Sequence, residues 1–317
     1  MNNWGKLIRE WMLPAAIVLG ISLYLIYHFS PGLHTYGKWL HPMASEGQRL
    51  VIAILLFFQF VKVSPHDLKL SRWHLKALAI QVGLFLLFAA GVLFLAPGTP
   101  RMLLECAMLC LICPTASAAG VITDRLGGNL ASTVTYLVLI NVAATFLIPL
   151  VIPLVNPLAQ MGFWNYVGHI ALKVFPVLIL PGLLAWIIRY TTHKLQRALM
   201  RWASNSFYVW GVGLTLAMVL STRALLLSGL DAWSVAGIVV VSVAACFFQF
   251  WAGHRSHKNK VESLTAGQAL GQKNTGFLIW LGYNYMTPVT SVAGGLYAIW
   301  QNLYNSWELY RKEQGTL

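Results

Sequence analysis

Apolar windows of roughly 18 or more residues, each long enough for a helix to cross a bilayer, recur along almost the whole chain. Two of them are broken. The first break runs through Cys113-Pro114-Thr115-Ala116-Ser117-Ala118-Ala119-Gly120, and the second through Gly267-Gln268-Ala269-Leu270-Gly271-Gln272-Lys273-Asn274-Thr275-Gly276. They lie about 155 residues apart in a chain of 317. Backbone that leaves the helical ladder at membrane depth must be satisfied by protein, water or a ligand, so such breaks line a cavity or bury themselves in protein. Two breaks at matching positions of two halves point to a transporter substrate site.

The pattern predicts an all-α polytopic membrane protein with ten transmembrane helices, centred near residues 20, 56, 84, 113, 142, 179, 212, 243, 271 and 295. The fourth and ninth are the broken ones, and Lys62 shortens the second. Charged residues make up 10% of the chain, against about 25% in soluble domains. No small-residue cleavage site follows the apolar run from Met12 to Tyr27, so that run is expected to be a span and not a signal. Residues 1–160 and 161–317 each hold five spans. Because five is odd, the second half enters the membrane from the opposite side, and a duplication is then inverted.

The formal net charge of +13 is a topology signal. With ten spans, one face carries Lys6, Arg9, Lys62, Lys69, Arg72, Lys76, Arg125, Arg189, Lys194, Arg197, Arg201, Arg255, Lys258, Lys260, Arg311 and Lys312. The other has Lys38, Arg49, Arg101, Lys173 and Arg223, and Lys273 stays inside a span. Sixteen against five places both termini in the cytoplasm of a multi-pass cell-membrane protein. The expected partners are the lipid bilayer and a small organic anion. Neither nucleic acid nor a partner protein is called for. The longest loops, around Ser64 to Trp73 and Thr191 to Trp202, are basic and leave no room for a soluble catalytic domain, and no phosphate-cradling GxxxxGK[ST] loop occurs.

Pro114 removes a backbone donor, and Gly120, Gly271 and Gly276 tolerate unwinding. A simple proline kink is the plain alternative for the first break. Five polar residues in the second, Lys273 among them, need partners at mid-membrane. A salt bridge from Lys273 to Glu105 is the plain alternative there. Cys106, Cys110 and Cys113 share a helix face without a histidine, which suits packing between membrane helices better than a metal site. His169 lies near an interface and has no partnered Asp or Cys. An intramembrane enzyme is therefore not expected.

These residues also carry a resemblance. Cys113-Pro114 with its small-polar run, Asn129-Leu130-Ala131 opening the next span, the Gly271–Gly276 segment and Trp300-Gln301-Asn302 together resemble the bile acid:sodium symporter superfamily, as a divergent bacterial-type member. The resemblance implies a core of spans three to five and eight to ten, crossing at the breaks, and a panel of the other four. It implies substrate contacts at Ser117, Lys273, Asn274, Gln301 and Asn302, with Gln81 supporting Lys273. The family's sodium region corresponds to Gln81, Ala119, Gly120, Thr133, Gln268, Ala269, Gln272 and Lys273. Its Ser-Asn pair falls here on Ala119 and Gly120, its bridging Glu on Ala269, and its Gln on Lys273. A hard cation site without oxygen ligands cannot hold sodium, although Gln268 restores one ligand if the register slips by one. The expectation is alternating-access transport of an organic anion, bile acid-like or a small carboxylate. Lys273 would stand in for a cation, with no cofactor or metal and with two-sodium coupling lost. A sodium- or proton-coupled symporter of the same family, and a non-transporting receptor on the same fold, are the alternatives.

Overall fold

A computed structural model describes residues 3–316, with side chains from residue 11 onward except at 204, so the side chains of Lys6 and Arg9 lie outside what is described. The described chain is helical throughout. The helices are α1 (Asn3–Phe29), α2 (Gly37–Lys62), α3 (Arg72–Phe94), α4 (Thr99–Ile112), α5 (Ala119–Leu126), α6 (Leu130–Val155) and α7 (Phe163–Leu178). They continue with α8 (Leu180–Thr191), α9 (His193–Trp202), α10 (Ser206–Leu227), α11 (Ala232–Arg255), α12 (Lys260–Gly271), α13 (Thr275–Tyr285) and α14 (Ser291–Glu313). Short 3₁₀ turns join some of them.

Among the described residues, seven helical stretches are long and apolar enough to cross a membrane: Trp11–Phe29, Pro31–Lys62, Arg72–Phe94, Leu130–Val155, Phe163–Thr191, Ser206–Leu227 and Ala232–Arg255. The chain is thus a polytopic helical membrane protein. The remaining helices fall short for two different reasons. The helices flanking the breaks have only 14 and 8 residues (α4, α5) and 12 and 11 residues (α12, α13). The last, α14, is 23 residues long but carries Gln301, Asn302, Asn305 and Glu308.

Two details differ from the sequence reading. Lys62 does not shorten the second span, because α2 begins at Gly37, runs through Pro42 and uses Lys62 as its last residue. The basic segment after Thr191 is not a loop but the amphipathic helix α9, with Leu199 packed on the main core. A basic polar face opposite a short apolar one suits the membrane surface.

Burial sorts the helices. In its most apolar window, 17% of Trp11–Phe29 is buried against 56% of Leu130–Val155, so α1 is peripheral and α6 central. Phe94, Leu172 and Trp233 are among the large apolar side chains left outside, as expected of a surface that meets lipid. Helix ends are capped locally: Asn129 Oδ1 accepts from Ser132 N–H, Asp231 from Ser234, and Asn259 from Val261 and Glu262. Gly127, at φ 87°, closes α5 in the left-handed conformation.

Around the breaks the neighbours are paired alike. Helix α3 lies along α4 as α11 lies along α12, and α5 lies against α6 as α13 lies against α14. The α11–α12 approach is very close. A Cβ at Gly253 would stand 2.4 Å from the Ala266 carbonyl oxygen, and one at Gly271 would stand 2.3 Å from the Phe250 ring. Small residues at such a seam let two backbones touch, which is how helices gain packing energy where no hydrophobic drive separates them from lipid.

Replacement at this seam has a predictable cost. Gly271→Val should destabilise the protein by about 1–3 kcal/mol or more through overpacking. Gly168→Ala, which meets nothing within 4 Å, should leave the melting temperature in detergent unchanged or raised. Equal melting temperatures for the two variants would contradict the seam.

Candidate functional site at the crossing of the two breaks

Each break creates a local shortage of hydrogen bonds. After Ile112 the chain runs extended, and Pro114 offers no N–H, so the last carbonyls of α4 and the first amides of α5 lack helical partners. The same shortage follows Gly271 at the end of α12.

The two shortages satisfy each other. Ala116 N–H donates to the Gln272 carbonyl at 2.9 Å, and Asn274 N–H to the Pro114 carbonyl at 2.8 Å. Thr115 and Lys273 thereby form a single antiparallel bridge. The Thr115 hydroxyl donates to the Ala269 carbonyl at 2.7 Å, and the Cys113 thiol lies 3.1 Å from the Asn274 carbonyl. Side chains from four other helices take the remaining groups. Gln81 of α3 donates to the Cys113 carbonyl at 3.0 Å and accepts from Tyr136 of α6 at 2.7 Å. Gln249 of α11 reaches the Cys110 carbonyl at 3.2 Å, and Tyr297 of α14 donates to the Gly271 carbonyl at 2.8 Å. Gln301, also of α14, accepts the Lys273 N–H at 2.8 Å.

The Lys273 side chain is fully buried, and its ammonium has no hydrogen-bond partner among the described residues. The ionisable groups within electrostatic reach of it are the Cys113, Cys110 and Cys246 thiols. Glu105 does not reach it. That carboxylate bonds Arg101 at 3.3 Å and the Thr287 hydroxyl at 2.8 Å. An unpaired ammonium in a dry interior is costly unless an anion or water reaches it.

The other sequence candidates distribute unevenly. Asn274 is half-buried and caps α13 by accepting from Phe277 N–H at 3.2 Å, while Ser117 is half-buried on the first break. Asn302 bonds the Ala298 carbonyl of its own helix at 2.6 Å and adds nothing to the crossing. Thr133 bonds Thr123 at 3.2 Å beside buried Ala119 and Gly120. Gln81 ties α3 to α4 and α6, with no bond to the Lys273 side chain. Gln268 and Gln272 bond each other, and Gln268 also donates to Glu308. A Cβ at Gly276 would meet Gln48 of α2 at 2.5 Å, which brings α13 against that helix.

Sequence reasoning missed Thr115, Tyr136, Gln249, Tyr297, His254 and Glu308. The last was legible in part, since Gln301, Asn305 and Glu308 recur at helical spacing and all three are buried on one face of α14.

Two cavities flank the crossing from opposite ends. One, of about 640 Å³, lies at the start of α4 and the end of α10, with Arg101, Glu105, Asn156 and Arg223 on its walls. The second, of about 540 Å³, lies at the end of α5 and the start of α12, with His254, Lys260, Glu308 and Lys312.

Removing one side of a crossing bond leaves a buried orphan. Thr115→Val should cost about 1–3 kcal/mol by stranding the Ala269 carbonyl, and Gln301→Leu should cost a similar amount by stranding the Lys273 amide. Thr191→Val, whose hydroxyl back-bonds Ile187 and lies 3.4 Å from the Thr192 hydroxyl on an exposed turn, is the control. Thermal unfolding in detergent reads all three, and a Thr115→Val variant as stable as the control would contradict the crossing's role.

Compared with known proteins, the chain matches no family model and no curated protein.

Proposed function

We propose that this chain is a secondary transporter for a small organic anion, built as the bile acid:sodium symporter superfamily is built. The observation that carries the reading is the unpaired, fully buried ammonium of Lys273 at the point where two broken helices cross. In this reading α4–α5 and α12–α13 are the fourth and ninth of ten spans and α14 is the tenth. The two sets of five form an inverted repeat, divided near residue 160. The matched pairing of α3 with α4 and α11 with α12 supports it. The excess of Lys and Arg on one face supports cytoplasmic termini.

The substrate is an anion, a bile acid-like molecule or a small carboxylate, held by Lys273 with Ser117, Asn274 and Gln301 around it. The cavities at either end of the crossing are the ends of an alternating path. An anion reaching Lys273 satisfies a charge that the protein leaves unsatisfied, which gives it differential affinity for the conformation that exposes the ammonium. Sodium has no part in this scheme. Ala119, Gly120 and Ala269 bring no side-chain oxygen, and Gln268 commits its amide to Glu308 and Gln272.

Uptake of labelled taurocholate and of labelled small carboxylates into proteoliposomes tests the proposal. Uptake should persist when choline replaces sodium and fall at least about tenfold in Lys273→Met, the loss expected for one charge-assisted contact. Strict sodium dependence of the intact protein would remove Lys273 from the cation's role. The tight closure around Lys273 also fits a binding scaffold that no longer transports. Counterflow of labelled substrate separates the two, since a scaffold exchanges nothing across the bilayer.

A further inference from the structure

Five basic residues belong to the charge-poor face: Lys38, Arg49, Arg101, Lys173 and Arg223. Four of them are accounted for. Arg49 and Lys173 both pair with Glu46, Arg101 pairs with Glu105, and the exposed Lys38 lies over the Trp39 ring. Arg223 of α10 is different. It is half-buried and has no ion pair among the described residues. Its Nη1 donates to the Tyr283 hydroxyl of α13, and the guanidinium stands 5.7 Å from that ring. Its Nε is buried and has no hydrogen-bond partner among the described residues.

The elements around Arg223 bring it no counter-ion. Helix α10 packs on α1, α2, α13, α14 and the turn at Pro288–Thr290. The ionisable groups they place within reach of the guanidinium are Tyr24, His41 and Tyr283. Phenols and imidazoles carry no negative charge at neutral pH.

Arg223 lines the 640 Å³ cavity at the start of α4, where the other polar groups are already engaged. Thr99 bonds Ser234 at 2.9 Å, and Asn156 donates to the Tyr285 carbonyl at 2.9 Å. Ser228 donates to the Leu225 carbonyl at 2.7 Å, and Thr287 to Glu105 at 2.8 Å. Arg101 divides its guanidinium among Glu105 and the Leu95 and Val155 carbonyls. Arg101 and Glu105 therefore cancel, and the positive charge left over on this wall is that of Arg223. Helix α4 adds to it, because Gly98 begins the helix at the cavity without a side-chain cap. The rest of the wall is largely apolar, with Pro97, Met102, Ala224, Leu227, Leu230 and Val289.

We propose that this cavity binds a monovalent amphipathic anion, its carboxylate or sulfonate on Arg223 and its apolar body against the apolar wall. The proposal deepens the anion-carrier reading and rests on it for the ligand's onward passage, since Lys273 is not on the cavity wall. A guanidinium half out of water without a counter-ion is costly. It favours an oxyanion that accepts from the Nε edge, which the protein leaves open. The volume suits a drug-sized molecule. A small dicarboxylate fits worse, because its second charge meets no second free cation and its body leaves the apolar wall wet.

Equilibrium binding of labelled taurocholate by the full-length protein in phosphatidylcholine nanodiscs tests this, with protein-free discs as the blank. Arg223→Gln should weaken binding at least about tenfold, the loss expected for a charge-assisted contact. Leu227→Glu tests the same point with the arginine in place. Leu227 is 58% exposed and one turn along α10, so a carboxylate there supplies the missing counter-ion. That variant should lose binding while its melting temperature is unchanged or raised. Methanesulfonate has the charged group without the apolar body, and should compete at least about a hundredfold less well than unlabelled taurocholate. Binding left whole in either variant, or equal competition by methanesulfonate, overturns the proposal. Displacement of taurocholate by phosphatidylglycerol added to the discs assigns the cavity to lipid and overturns it too. Uptake into proteoliposomes, measured in parallel, separates the two readings. Uptake by a protein whose binding ignores Arg223→Gln sinks the cavity site and leaves the carrier standing. Binding that follows Arg223 in a protein that takes up no anion does the reverse.

Discussion

The paired backbone at Thr115 and Lys273 is the contact on which the rest depends. In a bilayer an unpaired amide or carbonyl costs several kcal/mol, because no water stands ready to receive it. Two interrupted helices would each be untenable alone. Brought together, they exchange Ala116 to Gln272 and Asn274 to Pro114, and the extended strands between the half-helices become a two-residue ladder. What the ladder leaves over recruits Gln81, Tyr136, Gln249, Tyr297 and Gln301 from α3, α6, α11 and α14. The crossing therefore fixes four further helices around itself. The glycine seam between α11 and α12 serves the same end, since only a close approach lets Phe250 meet the turn at Gly271.

How much of this the chain announces depends on whether the cause is local. The two breaks were legible because Pro114, Gly271 and Gly276 disrupt helical bonding wherever they stand, and because the apolar windows around them leave no other place to be. The burial of Lys273 was legible for the same reason. Its lack of a partner was not, since Glu105 was an equally good candidate until α4 turned it toward Arg101 and Thr287. Contacts between distant segments were hidden. Glu308 and His254 are 54 positions apart, and each alone reads as a polar residue near a span's end. Asn302 shows the opposite error. A motif position next to Gln301 invited a site role, but the helical turn that aims Gln301 at the crossing aims Asn302 elsewhere. The amphipathic α9 was missed because its charge density suggested a loop, whereas its apolar residues recur at helical spacing.

The separation of backbone from side-chain duties has a mechanical consequence. The crossing is held by main-chain bonds and neutral amides, none of which involves the Lys273 ammonium or the Glu308 carboxylate in the ladder itself. The two charges can change occupancy without dismantling the break. In a protein whose crossing was held by a bound ion, releasing the ion would release the fold of the site as well. Here the lysine is part of the chain and cannot leave the crossing. The Gln272 and Gln268 amides form a thread from that turn of chain to Glu308. The two ends open on different media: Lys273 is sealed among helices, while His254 faces a cavity.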